Sequence, residues 1–206
     1  MKVLLINGSP HQHGCTDAAL QEVSAALRRH EIDTELCWIG AAPVAGCIAC
    51  GHCAQTGTCV FDDGVNQVLA RLDEYDGLIV GSPVYFAGPS GQICSFLDRL
   101  FHCGKRRMAG KMAACVVSCR RGGASAAFDR LNKYFTISHM PVVSSQYWNQ
   151  VHGNTPEEVR QDAEGLQTMR SLGENMAWML RAKEAAKAAG VPGPVYEPVT
   201  PTNFIR

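Results

Sequence analysis

The sequence predicts an α/β fold built on a doubly wound parallel sheet of about five strands, with helices on both faces. Three observations carry the prediction. Short apolar runs rich in β-branched residues alternate with segments of helical periodicity. The first and third runs, Lys2–Asn7 and Asp76–Ser82, are continuously apolar at their centres, as strands buried on both faces are. Small polar loops follow the first, third and fourth runs, at the sheet edge where such folds bind ligands.

The elements follow in order. Lys2–Asn7 (K-V-L-L-I-N) is the first strand and residues 8–16 its loop. From Asp17 the chain turns helical: Ala18, Ala19, Leu20, Val23 and Leu27 are apolar at helical spacing, and Arg28, Arg29 and His30 suit the last turn. Thr34–Ile39 alternates and is the second strand. Residues 40–63 form a long Gly- and Cys-rich loop, and loops of that length in compact domains are usually functional. Gly64–Asp73 is a helix behind Asp62 and Asp63, which suit its cap. Asp76–Ser82 is the third strand, and 83–88 a loop. Pro89 suits the first turn of a helix reaching about His102. Lys111–Ser118 is the fourth strand, Cys119–Gly123 a loop and Ala124–Ile137 a helix. Met140–Ser145 is the fifth strand. Thr155-Pro156-Glu157-Glu158 opens the last helix, which runs to about Ala189 with weak points expected at Gly165 or Gly173. No repeat or domain boundary interrupts residues 1–189, so they read as one domain, and the Pro-rich 190–206 as an extended tail.

Composition narrows the function. An apolar fraction of 46% in 206 residues supports a real core, and a net charge of zero gives no electrostatic case for nucleic acid. No apolar run approaches the length of a membrane span, and Met1 leads into a strand rather than a signal peptide, so a cytoplasmic protein is expected. Ten cysteines are many for that compartment, and four of them crowd into 47–59, a pattern of metal or redox chemistry more than of disulfides.

The first loop gathers backbone N–H groups at the positive end of a helix, beside the hydroxyls of Ser9 and Thr16. That arrangement receives a phosphate, with the N–H groups of His11 to Thr16 as backbone donors. A plain Ser/Thr helix cap is the alternative. Neither the nucleoside-triphosphate P-loop pattern nor the G-x-G-x-x-G fingerprint is present. In the second loop, Pro83, Tyr85 and Phe86 could pack a flat ring, and the N–H groups of Tyr85 to Gly88 could donate to it. In the third, Gly122 and Gly123 permit close backbone approach, and Arg120 or Arg121 adds positive charge. Core packing and an ordinary turn are the alternatives for these two loops. A phosphate at one end and a planar heterocycle at the other describe FMN.

These motifs carry a resemblance. G-S-P-x-x-x-G-C-T after the first strand, S-P-V-Y-F-A-G-P-S-G-Q with F-L-D-R in the next helix, and S-C-R-R-G-G after the fourth strand resemble the NAD(P)H-dependent FMN reductase family of the flavodoxin-like fold. The likeness covers roughly 1–153. It implies strand order 2-1-3-4-5, with FMN phosphate near Ser9, His11, Gly14, Cys15 and Thr16. It implies isoalloxazine contacts from Pro83, Val84, Tyr85, Phe86, Ala87 and Gly88, and from Ser118, Cys119, Arg120, Gly122 and Gly123. NAD(P)H is the implied electron donor. The sequence departs from the family where His11 replaces a frequent Arg and Cys15 a frequent Asn or Ser.

Cys47, Cys50, Cys53 and Cys59 form C-x-x-C-x-x-C-x5-C. Short Cys spacings of this kind ligate iron–sulfur clusters in bacterial ferredoxins. The spacing also resembles that of the iron–sulfur flavoproteins within the same fold family, which carry a 4Fe-4S cluster with FMN and form oligomers. Zinc, free or paired thiols, and a cluster lost in air remain open for these four residues. Trp148 or His152, beyond the fifth strand, could cover a flavin. No side chain is nominated as acid or base, because the flavin carries the chemistry.

The sequence therefore reads as an FMN-dependent oxidoreductase or electron-transfer flavoprotein with a 4Fe-4S cluster. It would serve a small-molecule or protein electron donor and acceptor, as a homodimer or homotetramer. A cluster-free NAD(P)H-dependent FMN, quinone or nitro-compound reductase is the alternative. A non-catalytic redox carrier or thiol-based sensor is the second.

Overall fold

The computed structural model describes residues 1–202, so the last four residues of the expected tail lie outside it. Five parallel strands form the sheet: β1 (Lys2–Asn7), β2 (Asp33–Trp38), β3 (Gly77–Tyr85), β5 (Met112–Cys119) and β6 (Gln150–His152). Their order is β2-β1-β3-β5-β6, the expected 2-1-3-4-5 when parallel strands alone are counted. A sixth, two-residue strand, β4 (Gly88–Pro89), pairs antiparallel with the end of β3.

β1 is buried on both sides, as its apolar run predicts. Val3 and Leu5 face α1 (Cys15–Arg29) and α7 (Ala163–Ala188). Leu4 and Ile6 face α3 (Gly64–Ala70), α4 (Gly91–Met108) and α5 (Ala124–Thr136). The alternation is that of any strand, and helices on both faces make both sets apolar. Asn7, at the end of β1, lies opposite Trp38 of β2 and Gly81 of β3. The loops after β1, β3 and β5 therefore open on one edge. Gly81 lets α1 settle there, because a Cβ would come within 2.8 Å of Leu20 and Thr16 side chains. Among the described residues, no helix is long and apolar enough to cross a membrane.

Several boundaries differ from expectation for physical reasons. β3 runs on to Tyr85 because Val84 and Tyr85 pair with Pro89 and Gly88. Pro89 is therefore a strand residue, not the first turn of a helix. Ser90 caps α4 instead, its Oγ accepting from Ile93 N at 3.2 Å. α4 continues past His102 to Met108, with Lys105, Arg106 and Arg107 favourable in its last turn.

The fifth parallel strand is displaced. Met140–Ser145 makes only a bridge, Val142 to Ala113, and the ladder resumes at Gln150–His152 opposite Val117–Cys119. Between them Ser145 Oγ lies 2.6 Å from the Tyr147 carbonyl and 2.7 Å from Asn149 Oδ1, turning the chain out of the sheet. Such local side-chain bonds compete with ladder pairing.

The last helix is broken at residues 160–162, ahead of the glycines. α6 (Pro156–Val159) is a single turn, and Asp162 then caps α7 by accepting from Gly165 N at 2.9 Å. Gly165 leaves room for that carboxylate, and Gly173 lets α7 touch α1 at Ala26. Both glycines are contact points rather than weak points. Residues 40–63 contain a further element, α2 (His52–Thr56), set between Gly51 and Gly57 at φ 74° and 73°.

Candidate functional site

The first loop is built from its own polar side chains. Asn7 is fully buried at the end of β1; its Oδ1 accepts from Ser9 N at 3.0 Å and its Nδ2 donates to the Gln12 carbonyl at 3.0 Å. Ser9 Oγ accepts from His11 N at 3.1 Å, and Trp38 Nε1 donates to the Ser9 carbonyl at 2.8 Å. These bonds curl 9–14 over the N-terminus of α1. No side chain caps that helix, whose N-cap is Gly14. The first-turn N–H groups of Cys15, Thr16 and Asp17 are thus left for an external acceptor. A cleft lies beside them, walled by Pro10 to Cys15, Trp38 and Asn154 to Pro156. Thr16 Oγ1 and Ser118 Oγ are 2.8 Å apart, joining the first and third loops. Cys15 Sγ reaches the Gly153 carbonyl at 3.7 Å, and burial raises its thiol pKa.

The second loop is a tight hairpin. Phe86 and Ala87 form its tip at φ 50° and 60°, a left-handed pair that usually needs Asn or Gly. Such strain persists where surroundings enforce it, and it concentrates at functional sites. The hairpin holds Tyr85 half exposed and Phe86 wholly exposed, so neither is a core residue. The third loop braces it: a Cβ on Gly123, at φ 92°, would come within 2.8 Å of Ala87 Cα and 3.1 Å of Val84 Cγ1. Cys119 is buried, its Sγ 3.5 Å from His152 Nδ1, and burial raises its pKa. Arg120 and Arg121 are exposed beside it. All three predicted loops therefore meet at one edge of the sheet. Trp148 is half exposed, and His152 is held through its N–H to Asp162 Oδ2 at 2.7 Å.

The cysteine loop forms a second centre. Cys47, Cys50, Cys53 and Cys59 line one largely apolar cavity of about 290 Å³, with Cys103 and His102 from α4. Cys103 is pushed up to about 12, first by burial and then by the adjoining Cys53. All ten cysteines are unpaired. Among the described residues, no three His, Cys, Asp or Glu side chains converge on one ion-sized site.

Arg99 organises this loop, and it was not singled out from the sequence as a site residue. It is 1% exposed. Its Nε donates to Cys59 Sγ at 3.1 Å; one terminal nitrogen donates to Asp63 Oδ2 at 2.7 Å and the Ala45 carbonyl at 3.3 Å. The other donates to Asp63 Oδ1 at 2.8 Å and the Phe61 carbonyl at 3.2 Å. A guanidinium has five N–H donors, and all five are used. Burial works to raise the Asp63 carboxyl, but Arg99 and the Val65 N–H hold it below the usual carboxylate range. The available signal was an arginine inside the apolar row Ile93, Phe96, Leu97, Leu100 of α4.

Known proteins agree with this geometry. Residues 1–155 match the family described as NADPH-dependent FMN reductase. An iron-sulfur flavoprotein of Methanocaldococcus jannaschii is 32% identical over 191 residues, covering 88% of this chain and 98% of the relative. An iron-sulfur flavoprotein of Methanosarcina thermophila is 26% identical over 185 residues, 87% of this chain and 95% of the relative. A flavodoxin from the domain Archaea superposes with a TM-score of 0.60 at 15% identity, covering 88% of this chain and 99% of its own, and shows the shared fold. With three quarters of its length matched and a relative aligned nearly end to end, the chain belongs to the NADPH-dependent FMN reductase family, on a flavodoxin-like fold.

Proposed function

We propose that the protein is an FMN-dependent oxidoreductase that also carries a 4Fe-4S cluster, passing electrons between NAD(P)H and a small-molecule or protein partner. The observation that carries this reading is the pairing of two centres: a phosphate-type loop at the sheet edge, and four thiols lining one apolar cavity. FMN, when bound, supplies a centre able to take two electrons, and the cluster one that takes them singly.

The residues divide the work. Ser9, Thr16 and the N–H groups of Gln12, His13, Cys15 and Thr16 hold the phosphate; the expected His11 and Gly14 N–H groups are instead bonded inside the loop, to Ser9 Oγ and the His11 carbonyl. Gly14 and Cys15 shape that turn, a Cβ on Gly14 meeting His11 Cβ at 3.0 Å. The Pro83–Gly88 hairpin and Ser118 to Gly123 flank the ring, with Gly123 fixing their spacing. Cys47, Cys50, Cys53 and Cys59 ligate the cluster. Its donor set fits: four thiols lining one largely apolar cavity, Cys47 and Cys50 exposed and Cys53 and Cys59 half-buried, with Arg99 donating to one sulfur. Exposed Tyr147, Trp148 and Trp178 support assembly as a homodimer or homotetramer.

A cluster-free NAD(P)H-dependent reductase is the second reading. It is favoured by the exposure of Cys47 and Cys50, which leaves two of the four thiols open to solvent. A Bacillus subtilis relative, 23% identical, bears the name putative NAD(P)H-dependent FMN-containing oxidoreductase. Anaerobic mixing with NADPH or NADH separates the readings. Bleaching of flavin bands together with broad iron–sulfur absorption supports the first, and bleaching of flavin bands alone supports the second. No bleaching with either nucleotide removes NAD(P)H as donor.

A further inference from the structure

The cysteine cavity contains one charged group that is wholly buried, and its placement is specific. Arg99 projects from α4 into the base of the loop with 1% exposure. Four of its five hydrogen bonds go to oxygens of Ala45, Phe61 and Asp63, which pins the loop on both sides of the cysteines. The fifth, from Nε, goes to Cys59 Sγ at 3.1 Å. The Phe61 ring lies 4.9 Å from the guanidinium and shields it further. A lysine could supply the charge but not this fork.

We propose that Arg99 sets the reduction potential of the cluster held by the cysteine loop, through the N–H···S bond it donates to Cys59. The proposal rests on the cluster reading above. Adding one electron to a cluster adds one negative charge at its sulfurs. A donor aimed at a ligand sulfur, and a cation behind it, stabilise that reduced form and raise the potential. Burial limits screening of both effects. Asp63 opposes them, because its carboxylate is bound to the far edge of the same guanidinium and cancels part of its charge. Arg99 and Asp63 thus act on the potential with opposite signs, which a purely structural clamp would not do.

The test uses full-length protein purified without oxygen, as wild type and as Arg99→Met, Arg99→Lys and Asp63→Asn. Asparagine is a good N-cap residue, so the Asp63 cap on Val65 N is kept. Iron and acid-labile sulfide are counted for each, and the cluster potential is measured by redox titration. Arg99→Met is expected to lower the potential by about 59 mV, a tenfold change in a one-electron equilibrium. Arg99→Lys is expected to lower it less, and Asp63→Asn to raise it. Should Arg99→Met fail to load, the other two variants decide by the same signs. Loaded variants whose potentials equal the wild type, or move together in one direction, would overturn the tuning role and leave the cluster reading standing. Wild-type protein without iron and sulfide would overturn the cluster reading, and the tuning role with it.

Discussion

Thr16 Oγ1 and Ser118 Oγ lie 2.8 Å apart across 102 residues of sequence, and both residues are buried. The bond ties the first turn of α1 to the end of β5, so the phosphate loop and the third loop hold a fixed spacing. Ser118 can donate to Thr16 and leave the Thr16 hydroxyl hydrogen for an anion, since a hydroxyl both gives and accepts.

Replacing Thr16 by Val keeps the volume and removes the hydroxyl. A hydrogen bond to a charged group is worth about 1.5–3 kcal/mol, so FMN affinity is expected to fall about tenfold or more. Riboflavin, which has no phosphate, is expected to lose less affinity than FMN, its loss reporting only the broken Thr16–Ser118 bond. Fluorescence titration of the flavin-free protein with both ligands checks this.

Gly123→Ala tests the brace between the hairpin and the third loop. The position has φ 92°, and its new Cβ would meet Ala87 Cα at 2.8 Å. Strain of this kind costs about 1–3 kcal/mol. Thermal denaturation is expected to show a lower Tm, and flavin titration a weaker complex. Gly122→Ala, with nothing within 4 Å of its added Cβ, is the control and is expected to change little.

The sheet edge at β2 predicts an acid-dependent contribution to stability. Arg71 grips the Glu35 carboxylate through bonds of 2.6 and 2.7 Å, with Lys2 alongside at 2.8 Å. Arg71, chiefly, lowers the Glu35 pKa from 4.5 to about 2. A carboxylate whose folded pKa is depressed contributes stability that is full above its unfolded pKa and is lost as pH falls towards the folded value. Glu35→Gln is therefore expected to be less stable than wild type at pH 7, with the gap closing between about pH 4.5 and about pH 2. Urea denaturation across that range checks the sign.

Ser variants separate ligating thiols from the bystander. Cys47→Ser, Cys50→Ser, Cys53→Ser and Cys59→Ser are each expected to reduce iron per chain. Cys103→Ser, in the same cavity but outside the C-x-x-C-x-x-C-x5-C run, is expected to retain it. Iron analysis of protein prepared without oxygen checks all five.

Much of this was legible in the sequence where local pattern and fold agree. The apolar Lys2–Asn7 run and the helical spacing after Asp17 became β1 and α1, and the three loops met at one edge. What the sequence hid were features set by partners far along the chain. Pro89 looked like a helix start, because its pairing with Val84 is visible only once the hairpin forms. The fifth strand moved to Gln150–His152 because Ser145 diverts the backbone before the ladder can continue. Arg99 was hidden for a related reason: its acceptors lie 36 to 54 residues away in a loop with no regular pattern.

The most direct measurement is the visible spectrum of the protein purified without oxygen, taken with flavin, iron and acid-labile sulfide counts per chain. One FMN with about four irons and four sulfides is expected, as a cubane cluster on four thiolates requires. FMN without iron or sulfide would contradict the cluster, and a colourless protein that takes up no added FMN would contradict the flavin site itself.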